Sequence, residues 1–278
     1  MGDFATLVTD LSLPEGPRWH QGRLWFSDMH EKRVLAVDQA GRVDLVAEVP
    51  HQPSGLGFLP GGELLIVSML DRRILCYDRG DLSQYADLST AVAGLCNDMV
   101  VDSEGRAYVG GIGPEMADGS RRGSVVLIDT DRTARVMAEQ IDGPNGMVIT
   151  PDGATLVIAE TLGERLTAWD RGPDGHQAKR RTWAELKGTP PDGLTLDTSG
   201  AIWVAGHRTG QFLRVKEGGE VLERKGVGNR MALSCTLGGP DRRTLFVTTG
   251  VSRADSEAGT RAGAVEFATV DVPGAGWP

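Results

Sequence analysis

Glu15, Asn145 and Asp192 stand at the same place in three copies of one local pattern. Each follows a proline, precedes a glycine and opens a short apolar strand, as in "GPNGMVITPDG". Asn97 holds that place in "NDMVVDSEG", and Ser54 and Ser234 hold it in two further copies. Any one of these residues taken alone reads as a turn former, since Asn and Asp side chains bond to nearby backbone and tolerate unusual dihedrals. Brought to one point, two carboxylates and two carboxamides make a set of hard oxygens. Such a set suits one divalent cation, with Ca²⁺ favoured and Mg²⁺ or Mn²⁺ needing tighter geometry. Zn²⁺ is less suited, because no His/Cys ligand cluster accompanies the oxygens.

The elements that must bring them together are short strands. β-rich segments recur with turns such as "PGG", "SEG", "PDG" and "TSG", and few windows carry a helical period. The markers Gly16, Gly55, Asp98, Gly146, Gly193 and Ser234 or Cys235 fall about 40 to 48 residues apart, the length of a four-stranded propeller blade. Six such units predict an all-β fold, a six-bladed β-propeller with four-stranded antiparallel blades. The amino-terminal "FATLVT" is expected to complete the last blade beside "AVEFATV", closing the ring from both ends of the chain. No linker separates the units, so residues 1–278 read as one domain with a core from about 4 to 270. In a propeller the innermost strands line the axis. The residues just ahead of them therefore meet at one end of it.

Composition narrows the partners. A net charge of -9 and a pI near 5.1 argue against nucleic acid or an anionic membrane surface. No apolar run approaches membrane-span length, and the first residues lack the basic and apolar regions of a signal peptide, so the cytoplasm is the expected location. Cys76, Cys96 and Cys235 are scattered and form no metal or disulfide framework. No GxSxG elbow is present, and Cys96 has no partner from which a thiol nucleophile could be argued.

The stretches "EGPRWHQGRLWFSD", "NDMVVDSEGRAYVG", "GPNGMVITPDG", "PDGLTLDTSGAIWVA" and "LGGPDRRTLFVTT", in that order and spacing, resemble the SMP-30/gluconolactonase/LRE family of six-bladed propellers. The resemblance implies Glu15, Asn145 and Asp192 as ligands of one divalent cation, with Asn97 nearby as a ligand or substrate contact. It implies a lactone hydrolase, and some relatives act on phosphotriesters. Asp192 is then the candidate ligand and general base, with Glu15 as the alternative base. A carboxylate on a cation is a weakened base, so the ligand role is the firmer one.

Sugar-lactonase relatives place an arginine two residues before the position of Asn97, and here Leu95 stands there. A buried hydroxyl-rich substrate would lose its partners. The ends of the second strands offer Met29 with His30, Met69, Gly111 with Ile112, Glu160, His207 and Thr249, and Leu233 adds to the apolar share. These residues point to a lactone or ester less polar than a sugar lactone. His207 is the candidate proton shuttle, with His30 and His51 as weaker candidates. The long loop "GGIGPEMADGSRRGS" offers Glu115 and Met116 as substrate contacts. Each apolar residue could equally be packing between blades. The rival functions are a metal-stabilised propeller that binds a ligand or protein without turnover, and phosphotriester hydrolysis. The expected partner is a small-molecule lactone or ester, with no obligatory protein partner.

Overall fold

The computed structural model describes residues 4–115, 122–172 and 177–276. Their strands form six separate four-stranded antiparallel sheets. Blade 1 runs through Pro14–His20, Arg23–Asp28, Arg33–Val37 and Val43–Glu48. The inner strands of blades 2 to 5 are Pro53–Phe58, Leu95–Val101, Pro144–Ile149 and Pro191–Leu196. Four of these five inner strands begin on proline, which has no N–H to give to a ladder and so belongs at a strand's first residue.

Blade 6 is made from both ends of the chain. Its inner strand Met231–Gly238, then Thr244–Gly250 and Gly263–Thr269, are completed by Ala5–Leu11 as the outermost strand. Ala5 pairs with Phe267 and Leu11 with Gly263, which is the closure expected from "FATLVT" and "AVEFATV". One element lacked a sequence signal: the one-turn helix Arg253–Glu257, capped by Ser252, between the second and third strands of this blade. No helix among the described residues is long and apolar enough to cross a membrane.

The core lies between blades. Val148, Val157 and Leu166 of blade 4 pack against Leu194, Ile202, Val204 and Leu213 of blade 5. Equivalent clusters fill the other gaps, as with Leu65, Val67 and Ile74 against Met99, Val101 and Val109. Each such side chain contributes about 1.5–3 kcal/mol on burial. The inner strands are thereby held by packing on both faces, and their positions about the axis are fixed.

Candidate active site

The axial residues lie within the inner strands and not ahead of them, as the sequence had led us to expect. Each strand carries a register shift against its neighbour at this point: between Glu15 and Arg18, Pro53 and Leu56, Cys96 and Met99, Pro144 and Met147, Pro191 and Leu194, and Ala232 and Ser234. An extra residue on one strand bends it and re-aims the side chain beside it. Six equivalent bulges therefore place Glu15, Ser54, Asn97, Asn145 and Asp192 around one end of the axis, with Leu233 in the sixth place. Ser234, expected there, falls one residue further on, level with the glycines of the other blades. The following glycines allow the ring to close tightly. A Cβ on Gly146 would come within 2.6 Å of the Asp192 carbonyl oxygen, and one on Gly193 would overlap the Ser234 side chain.

Hydrogen bonds run around this ring. Ser54 Oγ donates to Asn97 Oδ1 at 3.4 Å, and Asn97 Nδ2 donates to the Pro144 carbonyl at 3.3 Å. Asn145 Nδ2 donates to Thr161 Oγ1 at 3.2 Å, and Thr161 Oγ1 donates to the Pro191 carbonyl at 2.7 Å. Asp192, 3% exposed, shares a 2.7 Å hydrogen bond between Oδ2 and His207 Nδ1. With its amide nitrogen held outward, Asn145 keeps its carbonyl oxygen for the axis.

Charge is crowded here. Burial, then the Asp192 and Asp98 carboxylates, push the Glu15 carboxyl well above its ordinary range, against opposition from the Gly16 N–H and Arg18. Asp98 occupies the place that glycine holds in four other blades. It is raised chiefly by burial, opposed by Arg18, whose guanidinium lies 3.4 Å away. Arg18 also donates to the Met99 carbonyl at 2.6 Å, tying blade 1 to blade 3 past blade 2. A divalent cation among Glu15, Asn145 and Asp192 would offset the mutual repulsion of the carboxylates. The donor set fits a hard cation. Among the described residues no three His, Cys, Asp or Glu side chains converge as a metal group, in keeping with a set half composed of carboxamides.

A second ring surrounds the first. The backbone N–H groups of Met29, Met69, Thr161 and His207 donate to the carbonyls of Leu13, Gln52, Gly143 and Pro190, each immediately ahead of an inner-strand proline. These four are structurally equivalent, on blades 1, 2, 4 and 5. Thr161 is the residue that sequence reading missed, having taken its neighbour Glu160. Glu160 is fully buried in blade 4 by Arg165, Arg180, Thr167 and the Asp142 N–H. It matches Asp28, which accepts from the Ser12 and Leu13 N–H groups and pairs with Arg33. An acidic residue five positions before an arginine was the available signal.

The apolar candidates come together. Met29 and Leu13 of blade 1, Met69 of blade 2 and Leu233 of blade 6 are buried in one cluster, against which Leu95, Ile112 and Met231 pack while partly exposed. His30 turns instead to the short helix, where Nδ1 lies 2.8 Å from Ser256 Oγ. Burial, then the charge of Arg253, holds it below its ordinary value. His51 and Glu115 are exposed, and Met116 lies outside the described residues. Thr249 is buried against Glu266 and Arg230. At the far end of the axis a cavity of about 270 Å³ is walled by Trp19, Phe58, Leu196 and Leu237 with Arg18 at its inner end. It shares no lining residue with the axial polar ring.

The SMP-30/Gluconolactonase/LRE-like family profile matches residues 13–251. The pentonolactonase XacC of Haloferax volcanii is 31% identical over 268 residues, covering 91% of this chain and 88% of that protein. The 6-deoxy-6-sulfogluconolactonase of Pseudomonas putida is 31% identical over 189 residues, 66% of this chain and 64% of that protein. A calcium-binding regucalcin from Agrobacterium tumefaciens superposes with a TM-score of 0.85 at 23% identity, covering 99% and 97% of the two chains, which speaks for the fold. The profile match and the full-length relative agree with the ring geometry, and the chain belongs to the SMP-30/gluconolactonase/LRE-like family.

Proposed function

We propose that this chain is a divalent-cation-dependent hydrolase that opens a lactone less polar than a sugar lactone. The observation that carries the reading is the meeting of Glu15, Asn97, Asn145 and Asp192 at one end of the propeller axis, beside an apolar cluster. Two relatives named as lactonases support the reaction class. Glu15, Asn145 and Asp192 would hold the cation, with Ca²⁺ favoured, and Asn97 lies within reach as a further ligand or substrate contact. When bound, the cation supplies a Lewis acid for the lactone carbonyl.

The chain's own groups do the rest. Asp192 Oδ2 is engaged by His207, so its other oxygen is the one left to orient water and take its proton. Water oxygen bonds to the carbonyl carbon, the acyl–oxygen bond breaks, and the ring oxygen leaves as the alkoxide. The proton taken from water returns to that alkoxide, giving a hydroxy acid. His207 is placed to pass it. Burial lowers the affinity of His207 for protons, but the Asp192 charge and hydrogen bond outweigh burial and hold it above its ordinary value. Glu15 remains the alternative base.

The test is pH-stat hydrolysis of gluconolactone, γ- and δ-alkyl lactones, dihydrocoumarin and a phosphotriester after chelation and re-addition of Ca²⁺, Mg²⁺, Mn²⁺ or Zn²⁺. Cation-restored turnover biased to the alkyl lactones and dihydrocoumarin is expected. Asp192→Ala should lose about 10²-fold or more of it. A preference for gluconolactone would overturn the polarity assignment, and full activity of Asp192→Ala would overturn the mechanism.

A further inference from the structure

The two rings at the mouth differ in one respect. The inner ring is polar on blades 1 to 5 and apolar at Leu233 of blade 6, whereas the surrounding ring is split between its two halves. Its equivalent positions are Met29 and Met69 on blades 1 and 2 but Thr161 and His207 on blades 4 and 5. Six blades are spaced at about 60°, so blade 1 faces blade 4 and blade 2 faces blade 5 across the axis. The apolar share extends on both sides through Leu233 and Met231 of blade 6 and Leu95 and Ile112 of blade 3, one continuous cluster over four successive blades. The polar share is confined to blades 4 and 5, where Thr161 and His207 are already bonded to the inner ring.

We infer that this split fixes how a lactone lies across the site, and that the enzyme prefers lactones carrying their apolar substituent on the acyl side. The inference rests on the lactonase reading. A lactone carbonyl carbon bears the carbonyl oxygen, the ring oxygen and the α-carbon in one plane. With a cation held by the axial carboxylates and carboxamides, the carbonyl oxygen would face that end of the axis and the other two would point to opposite sides. The ring oxygen needs a polar neighbour and takes on charge as the bond breaks, so it belongs on the side of Thr161 and His207. There His207 Nε2, not engaged by Asp192, is the group that can meet it, the Thr161 hydroxyl proton being given to the Pro191 carbonyl. The α-carbon then faces Met69 and its neighbours. An alkyl chain at the α-position enters the apolar half. The same chain on the γ-carbon, which is bonded to the ring oxygen, is carried into the polar half. The solvent-facing contacts for the α-chain are Leu95, Ile112 and Met231, and the unbranched methionines can shift to admit it.

The experiment compares γ-butyrolactone, α-hexyl-γ-butyrolactone and γ-hexyl-γ-butyrolactone with the cation-loaded protein by pH-stat. A KM for the α-hexyl compound about ten-fold below that for the γ-hexyl compound is expected, with the parent lactone hydrolysed. Met231→Gln and Leu95→Asn should each narrow that ratio to less than about three-fold, since they place an unmet amide against the chain. The ratio is read within one protein sample, so partial misfolding of a variant does not alter it. Hydrolysis of the parent with equal or inverted preference between the hexyl isomers overturns the orientation and leaves the lactonase reading standing. Failure to hydrolyse any of the three overturns both.

Discussion

Glu160 shows how a carboxylate near the mouth can serve the fold instead of the reaction. Burial alone would raise its pKa, but Arg165, Thr167 and the Asp142 N–H outweigh it and hold the carboxyl below its ordinary value. Its folded pKa therefore lies below the unfolded value of about 4.3. Its stabilisation is whole above that pH and is lost as the pH falls through the folded value. Glu160→Gln should cost about 1.5–3 kcal/mol at pH 7 by urea denaturation. The difference from wild type should stay constant down to about pH 5 and shrink below about pH 4. A difference independent of pH would refute this role. At Gly193 the constraint is steric. Gly193→Ala would drive a methyl into the Ser234 side chain and should cost about 1–3 kcal/mol, with a matching loss of activity.

At the scale of elements, the inner strand with its bulge is the unit that builds the site. Deletion of residues 1–11 would bare the edge of Gly263–Thr269 and leave blade 6 with three strands. Lower Tm and increased light scattering are the expected outcomes, and an unchanged melt would show that closure contributes little. The blades were legible in the sequence because each repeats a turn, an apolar run and a polar residue at constant spacing. Glu15, Asn97, Asn145 and Asp192 were legible for the same reason. The bulges were not, since a bulge is a relation between two strands and leaves no mark in one of them. Confusing Glu160 with Thr161 follows directly, because a shift of one residue sends a side chain to the other face of its strand. The tie from Arg18 to Asp98 joins blades that are not neighbours, and no local pattern announces such a pair.

For the whole molecule, the cation and the ring should stabilise one another. The axial oxygens come from blades 1, 3, 4 and 5, so a cation that binds them binds only the closed propeller. At one hundred times its dissociation constant it should add about 2.7 kcal/mol, which is roughly 5–10 °C in Tm for a chain of this size. Calorimetry with Ca²⁺ and with chelator checks this without reference to turnover. Absence of any shift would set aside the cation site.

Closure by both ends of the chain also orders events in time. Ala5–Leu11 leaves the ribosome ahead of the other described strands and its partner Gly263–Thr269 after them, so it must wait, unpaired, while they are made. Its exposed residues are Ala5, Thr6, Thr9 and Asp10, and the Asp10 charge helps to keep a waiting edge from joining another chain. Ring closure is then the slow, long-range step. The axial oxygens are held in their final arrangement only once it is finished. Cation binding during refolding would thus serve as a clock for the last blade.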